Sequence, residues 1–189
     1  MKKSKIQYTA SITYDEPTIQ KVFRAEYFTY DRLRIIIRAL VGLALIAVAL
    51  FTGVHVGIKV LCLLIGCWFI VAMDFPSKVK AEGVIEARNG AVSTVTLQFG
   101  ESSVRVVEGK QLYKYAAVDR LVEEGDYFYL FFDRQNAVML DKNTLDPPKP
   151  DAFRHFIVEK TGKKWQDTSL LMMNFHDLRQ AVKDRLHRN

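Results

Sequence analysis

The chain has 189 residues and carries 27 Lys and Arg against 21 Asp and Glu, a formal net charge of +6. No run of five or more basic residues occurs, so nucleic acid is excluded as the expected partner and the surplus suits an anionic lipid surface. About 150 residues remain outside the strongly apolar stretch described below, room for one modest domain.

Ile6, Tyr8, Ala10, Ile12 and Tyr14 alternate with Gln7, Thr9, Ser11 and Thr13, the period of two of a half-buried strand. Asp15-Glu16-Pro17 reads as a helix start, with Asp15 as N-cap and Pro17 in the first turn. Ile19, Val22, Phe23, Tyr27 and Tyr30 follow at helical spacing. This amphipathic helix is expected either along a membrane face, where Tyr27, Phe28 and Tyr30 would suit an aromatic belt, or against the rest of the domain.

Residues 39–58 contain no Asp, Glu, Lys or Arg, nor do residues 60–73, with Lys59 the lone fixed charge between them. A helix rises about 1.5 Å per residue and the bilayer core is about 30 Å thick, so about 20 apolar residues make a span. Two transmembrane helices are expected, at about 35–54 and 58–73, joined by a turn around Gly53 and Gly57. The second is short and recruits Phe75 at one end and a snorkelling Lys59 at the other. Ala47-Val48-Ala49 has the form of a signal-peptide cleavage site, but the apolar run begins too far into the chain for one. Lys2, Lys3, Lys5, Lys21, Arg24, Arg32, Arg34 and Arg38 precede the first span, and Lys78, Lys80 and Arg88 follow the second. The positive-inside rule then puts both termini in the cytoplasm, at the cell membrane.

Along the first span Ala39, Gly42, Ile46, Ala49 and Gly53 form one stripe of mostly small side chains, and the second offers Cys62 and Gly66 on one face. Small residues let helix backbones approach where lipid removes the hydrophobic drive. The stripes are expected to pack on each other within the hairpin, with homodimerisation the second option. Cys62 and Cys67 lie about 140° apart around their helix and cannot pair within it.

Residues 77–88 are polar with a weak helical pattern, a stalk leaving the membrane, and Asn89-Gly90 marks a turn. Alternation then resumes through Val95, Leu97 and Phe99 and through Val104 and Val106, with further strands expected at 111–115, 118–123, 127–132 and 137–140. Gly100-Glu101-Ser102, Glu108-Gly109, Glu124-Gly125-Asp126 and residues 133–136 separate them, the turn chemistry of an antiparallel meander. Residues 127–132 are six bulky side chains without alternation, so that strand is covered on both faces. The candidate cover is a helix at 151–161, begun by Asp151 after a Pro-rich linker, ended by Gly162 and presenting Phe153, Phe156 and Ile157. Past Trp165 a tail helix is expected, with Leu171, Phe175, Leu178, Val182 and Leu186 as its seam and Arg179, Lys183 and Arg185 as a basic contact face. The membrane, the domain and a partner are all open to it.

No Gly-rich phosphate loop, His-Glu-x-x-His, Cys-x-x-Cys or Gly-x-Ser-x-Gly occurs, and His55, His155, His176 and His187 stand at no ligand spacing. No catalytic residue, cofactor or metal is expected, and Glu123, Glu124, Asp126 and Asp133 read as solvated turn residues.

Leu97-Gln98-Phe99-Gly100-Glu101, Tyr115-Ala116-Ala117-Val118, Leu121-Val122-Glu123, Asp126-Tyr127-Phe128-Tyr129-Leu130 and Met139-Leu140-Asp141-Lys142, running into Phe153 and Phe156, together resemble the YcxB-like family of bacterial membrane proteins. The resemblance implies a pleckstrin-homology-like (PH-like) carboxy-terminal domain of unestablished function and carries over no catalytic residue. The expected fold class is an α+β membrane protein: a two-helix transmembrane hairpin and a cytoplasmic antiparallel β domain capped by a helix. Its expected parts are 1–34 (strand and amphipathic helix), 35–75 (spans), 76–164 (β domain) and 165–189 (tail). The expected role is a non-enzymatic interaction module binding a protein partner or anionic lipid at the inner leaflet. The alternative is an accessory subunit of a transport or membrane-stress system acting through its hairpin.

Overall fold

The computed structural model describes residues 6–167. Strand β1 (Tyr8–Tyr14) leads into helix α1 (Glu16–Tyr30), the helical hairpin α2 (Arg32–Phe51) and α3 (Val56–Val71), and helix α4 (Phe75–Ala87). Strands β2 (Ser93–Phe99), β3 (Ser103–Val106), β4 (Gln111–Lys114), β5 (Arg120–Glu124), β6 (Tyr127–Phe131) and β7 (Ala137–Asp141) follow, then helix α5 (Pro150–Thr161) and β8 (Trp165–Asp167).

The strands form two four-stranded sheets rather than one curled meander, in the orders β1-β2-β3-β4 and β7-β6-β5-β8. All pairings are antiparallel except β5 with β8, which is parallel. β1 pairs along its whole length with β2, from Tyr8 opposite Phe99 to Tyr14 opposite Ser93. Its other edge is tied to the loop after β7: the Thr9 N–H donates to the Asp146 carbonyl and the Asp146 N–H to the Thr9 carbonyl, each at 2.8 Å. The segment before the hairpin therefore belongs to the same β body as residues 93–161, although the apolar stretch between them divides the sequence into separate parts.

The main core lies between the sheets and α5. Leu97, Phe99, Val104, Leu121, Phe128, Leu130, Leu140, Phe153 and Ile157 are all buried there. The Phe153 ring meets those of Tyr8, Phe99, Phe128 and Phe156 at centroid distances of 5.3, 4.8, 5.5 and 6.3 Å. α5 starts one residue before the expected Asp151: Pro150, with its φ already helical, takes the first position, and Asp151 adds an acid to the first turn. Gly162 ends it in the left-handed conformation at φ 67°, which glycine adopts without penalty.

β6 is covered on both faces, as its unbroken apolar run requires, but the two covers are different helices. Phe128 and Leu130 face α5, while Tyr129 and Phe131 face Ala25, Tyr27, Phe28 and Ile35 from α1 and the start of α2. α1 thus spends its aromatic face on the β body: Tyr27 is 5% exposed and Phe28 4%. Asp15 caps α1 as its spacing predicts, accepting from the Thr18 N–H at 3.0 Å. The polar stalk is the continuous helix α4, which packs along α1.

α2 and α3 pack on each other as an antiparallel pair, Gly42 beside Phe69 and Ile70 and Gly66 beside Ile46. Among the described residues α2 is the one helix long and apolar enough by itself to cross a membrane, with mean hydropathy 2.4 and 17% of its apolar window buried. α3 has 16 residues and passes that test only together with α4, from which it is bent by 53°.

Candidate functional site

Where the hairpin meets the β body, three carboxylates sit at helix ends and are almost fully buried. Glu26 is 7% exposed, Asp31 7% and Asp74 5%. Burying a carboxylate is costly unless a cation and hydrogen bonds hold it, and each of these has a cation. Glu26, in the last turns of α1, takes Lys80 of α4 at 3.1 Å and Arg134 at 3.4 Å. Asp31, the residue between α1 and α2, is hydrogen-bonded by Arg134 and paired with Arg34 at 3.4 Å. Asp74, between α3 and α4, pairs with Lys78 at 3.1 Å.

Arg134 comes from the turn joining β6 to β7. Asp133 shapes that turn by accepting from the Gln135 N–H at 2.7 Å, the Asn136 N–H at 2.8 Å and the Asn136 side-chain amide at 2.8 Å. The Asn136 side chain, then the two backbone N–H groups, hold the Asp133 carboxyl below its usual range. One residue of the sheet thereby fastens both α1 and the α1–α2 junction.

Further contacts complete this collar. Arg120 of β5 donates to the Thr29 carbonyl at 2.6 Å and lies 4.6 Å above the Tyr30 ring. Tyr30 donates to Asp119 at 3.0 Å, and burial, then that bond and the Asp119 charge, push its phenol well above the ordinary tyrosine value. Arg32, the first residue of α2, donates to Gln166 of β8 at 3.0 Å. Arg38, farther along α2, donates to the Tyr27 hydroxyl at 3.1 Å. Such an arrangement transmits position: ion pairs and hydrogen bonds from the β7-β6-β5-β8 sheet and its turns set how the hairpin leaves the body.

Of the residues expected to pack helices, Gly42, Ala49 and Gly66 are the buried positions on their helices together with Ile35. A Cβ at Gly42 would stand 3.0 Å from the Gly66 carbonyl oxygen, and one at Gly66 would stand 2.8 Å from both the Gly42 carbonyl oxygen and Ile46 Cγ1. Cys62 is half-buried. Gly53 does not pack: α2 ends at Phe51, Thr52 turns to an extended conformation, and a Cβ on Gly53 would meet nothing within 4 Å. Arg179, Lys183 and Arg185 lie outside the described residues, as does the rest of the expected tail helix. The collar itself is absent from the sequence reading. Its one sequence signal is acidic residues, Asp31 and Asp74, placed directly against apolar helices where a solvated role is hard to sustain.

The family comparison falls on the part of the molecule that supplies Arg134. Residues 100–157 match the family model described as YcxB-like protein. Over this stretch the chain is similar to that family. No curated protein matches the chain, and no solved structure does. The YcxB-like stretch runs from the turn after β2 through β3 to β7 and most of α5. It holds Phe128, Leu130, Leu140, Phe153 and Ile157 of the main core, and it holds Arg120 and Arg134 of the collar. α1 and the α1–α2 junction, which receive those arginines, lie before it.

Proposed function

We propose that this chain is a membrane-tethered interaction module. α2 and α3 cross the bilayer as a hairpin, both termini stay on the cytoplasmic side, and a PH-like body of two sheets closed by α5 is held at the inner leaflet. There it binds anionic lipid or a protein partner, and it acts by binding rather than catalysis. One observation carries this reading: the outward surface of the hairpin is made of large apolar side chains. Leu40 is 60% exposed, Leu50 61%, Phe51 86%, Leu64 65% and Trp68 64%. A water-soluble protein rarely leaves so continuous an apolar surface open, and a buried core helix would be covered.

Charge supports the orientation. Arg34, Arg38, Lys78 and Lys80 gather at the body end, and the turn carries Lys59 and the weakly basic His55. The small face of the hairpin is occupied by the Gly42–Gly66 contact, so a second copy would have to meet the outer Leu and Ile surface instead. Two packed sheets with one carboxy-terminal helix support the PH-like reading, with β1 supplied from before the hairpin.

The test uses the full chain, because residues 78–189 alone would lack β1 and α1. Membranes from cells expressing it are washed at alkaline pH, and single cysteines at the turn (Gly53→Cys) and in the body (Ser102→Cys) are labelled with a membrane-impermeant maleimide after Cys62 and Cys67 are replaced by Ala. The expected result is retention in the membrane, with the turn labelled in intact cells and the body labelled only after permeabilisation. Release into the wash, or labelling of both positions in intact cells, would sink the reading.

A further inference from the structure

At the inner end of the hairpin a groove of about 220 Å³ opens between Arg38, Trp68, Phe69, Ala72, Phe75 and Pro76. Its walls are apolar apart from one cation. Trp68 and Phe75 are 64% and 54% exposed, amphipathic or apolar rings at the level where an aromatic belt would lie. The bend of 53° between α3 and α4 directs the chain away beside Phe75 and Pro76.

Arg38 differs from the cations around it. Arg34, Lys78, Lys80 and Arg134 each pair with a buried carboxylate. Among the described residues the hydrogen-bond partner of Arg38 is the neutral Tyr27 hydroxyl, which occupies one of the five guanidinium N–H groups. It stands roughly 9 Å along α2 from Arg32, and no charged residue follows it until Lys59. A guanidinium with open donors at the edge of an apolar surface is matched to a phosphodiester, which it can hold with two parallel N–H···O bonds.

We propose that this groove holds one anionic phospholipid, its phosphate on Arg38 and the start of an acyl chain along Trp68 and Phe75. The proposal rests on the membrane reading above. An anionic headgroup is preferred over a zwitterionic one, because the latter brings its own cation beside Arg34 and Arg38.

Trp68 reports on the site directly. In full-length protein carrying Trp165→Phe, Trp68 is the single tryptophan, and its quenching is measured in nanodiscs doped with phosphatidylglycerol or phosphatidylcholine brominated on the acyl chains near the headgroup. Brominated phosphatidylglycerol is expected to reach half-maximal quenching at about fivefold lower mole fraction, the worth of one well-placed cation. Arg38→Gln should abolish that preference, while Arg154→Gln, which removes a cation of α5 remote from the groove, should leave it. Equal quenching by both lipids, persistence of the preference in Arg38→Gln, or its loss in Arg154→Gln overturns the site and leaves the membrane reading standing. Absence of quenching by either lipid overturns both.

Discussion

In the β body the largest side chains are inside: Phe99, Phe128, Phe131, Tyr129 and Phe153 are each 1% exposed or less. In the hairpin the large side chains point outward and the closest approach is between two glycines, where added Cβ atoms would stand 2.8 to 3.0 Å from carbonyl oxygens. Water drives the first arrangement, because each buried aromatic ring removes apolar area from it. In the proposed bilayer that drive is missing between helices, and close backbone packing takes its place. The same chain therefore uses two packing rules, and the collar of Glu26, Asp31, Asp74 and Arg134 marks where one gives way to the other.

The sharpest way to break this contrast is to hollow out the body. Phe153→Ala removes a ring in contact with four others and is expected to cost about 3–5 kcal/mol. The check is a lowered thermal midpoint by near-ultraviolet circular dichroism, with helical signal from the hairpin retained. If body and hairpin melt together, the two regions are one cooperative unit and the contrast is weaker than drawn. Overfilling the hairpin is the complement. Gly66→Ile forces atoms against the Gly42 carbonyl and Ile46 and is expected to cost about 1–3 kcal/mol. It is read as a lowered thermal midpoint of the hairpin's helical signal in detergent relative to the chain that keeps Gly66, with the body's protease resistance unchanged. A midpoint equal to that of the chain that keeps Gly66 would show that the glycine contact does not set the packing.

Much of this contrast is visible in the amino-acid sequence because both rules leave periodic traces. Alternation marks β1, β2 and β3, and the uncharged run with small residues at helical spacing marks α2 and α3. The six bulky residues at 127–132 announce a doubly covered strand. What covers each face is not legible there: α5 lies near in sequence and α1 does not, yet α1 takes the Tyr129 and Phe131 face. A half-buried strand at residues 8–14 declares that it needs a partner, but its pairing with β2 closes across the entire hairpin. The three-residue parallel strand β8 is too short to show a period. The collar is hidden for a related reason, since Arg134 is 108 residues from Glu26 and 103 from Asp31, and a solvated turn arginine has the same local sequence as one that bridges two helices.

A smaller effect tests whether that bridge is what joins the two regions. Arg134→Ala leaves Glu26 with Lys80 and Asp31 with Arg34. Arg134 is itself 45% exposed, so the expected loss is only about 1–2 kcal/mol, at the low end for a charge-assisted bond. Its signature is faster hydrogen exchange at the α1–α2 junction, with exchange in β6 little changed. Arg134→Lys, which keeps the charge but not the fork, should recover part of the protection. If the junction exchanges as slowly without Arg134, the apolar contact of Ile35 and Phe28 with the sheet holds the hairpin by itself.

The smallest effect has the opposite sign and tests the body alone. Tyr129 is fully buried, and its hydroxyl has no hydrogen-bond partner among the described residues. Its ring stacks on Phe131 at 6.2 Å, a contact phenylalanine would keep. Tyr129→Phe removes a desolvated hydroxyl at no cost in shape and is expected to leave stability unchanged or raise it by up to about 1 kcal/mol at neutral pH. Burial, and after it the charge of Glu124, raises the Tyr129 phenol far above its ordinary value. The folded state therefore holds that proton more tightly than the unfolded chain, and its contribution is complete below the unfolded value near 10. Above it the unfolded chain ionises while the fold does not, so stability falls as pH rises through 10 and beyond. Tyr129→Phe should flatten part of that decline, the remainder belonging to Tyr14, Tyr27, Tyr30 and Tyr115, whose phenols are raised as well. Thermal midpoints of both proteins between pH 8 and pH 11 decide the matter, because equal slopes would mean that Tyr129 reaches water or a partner when the body is in solution.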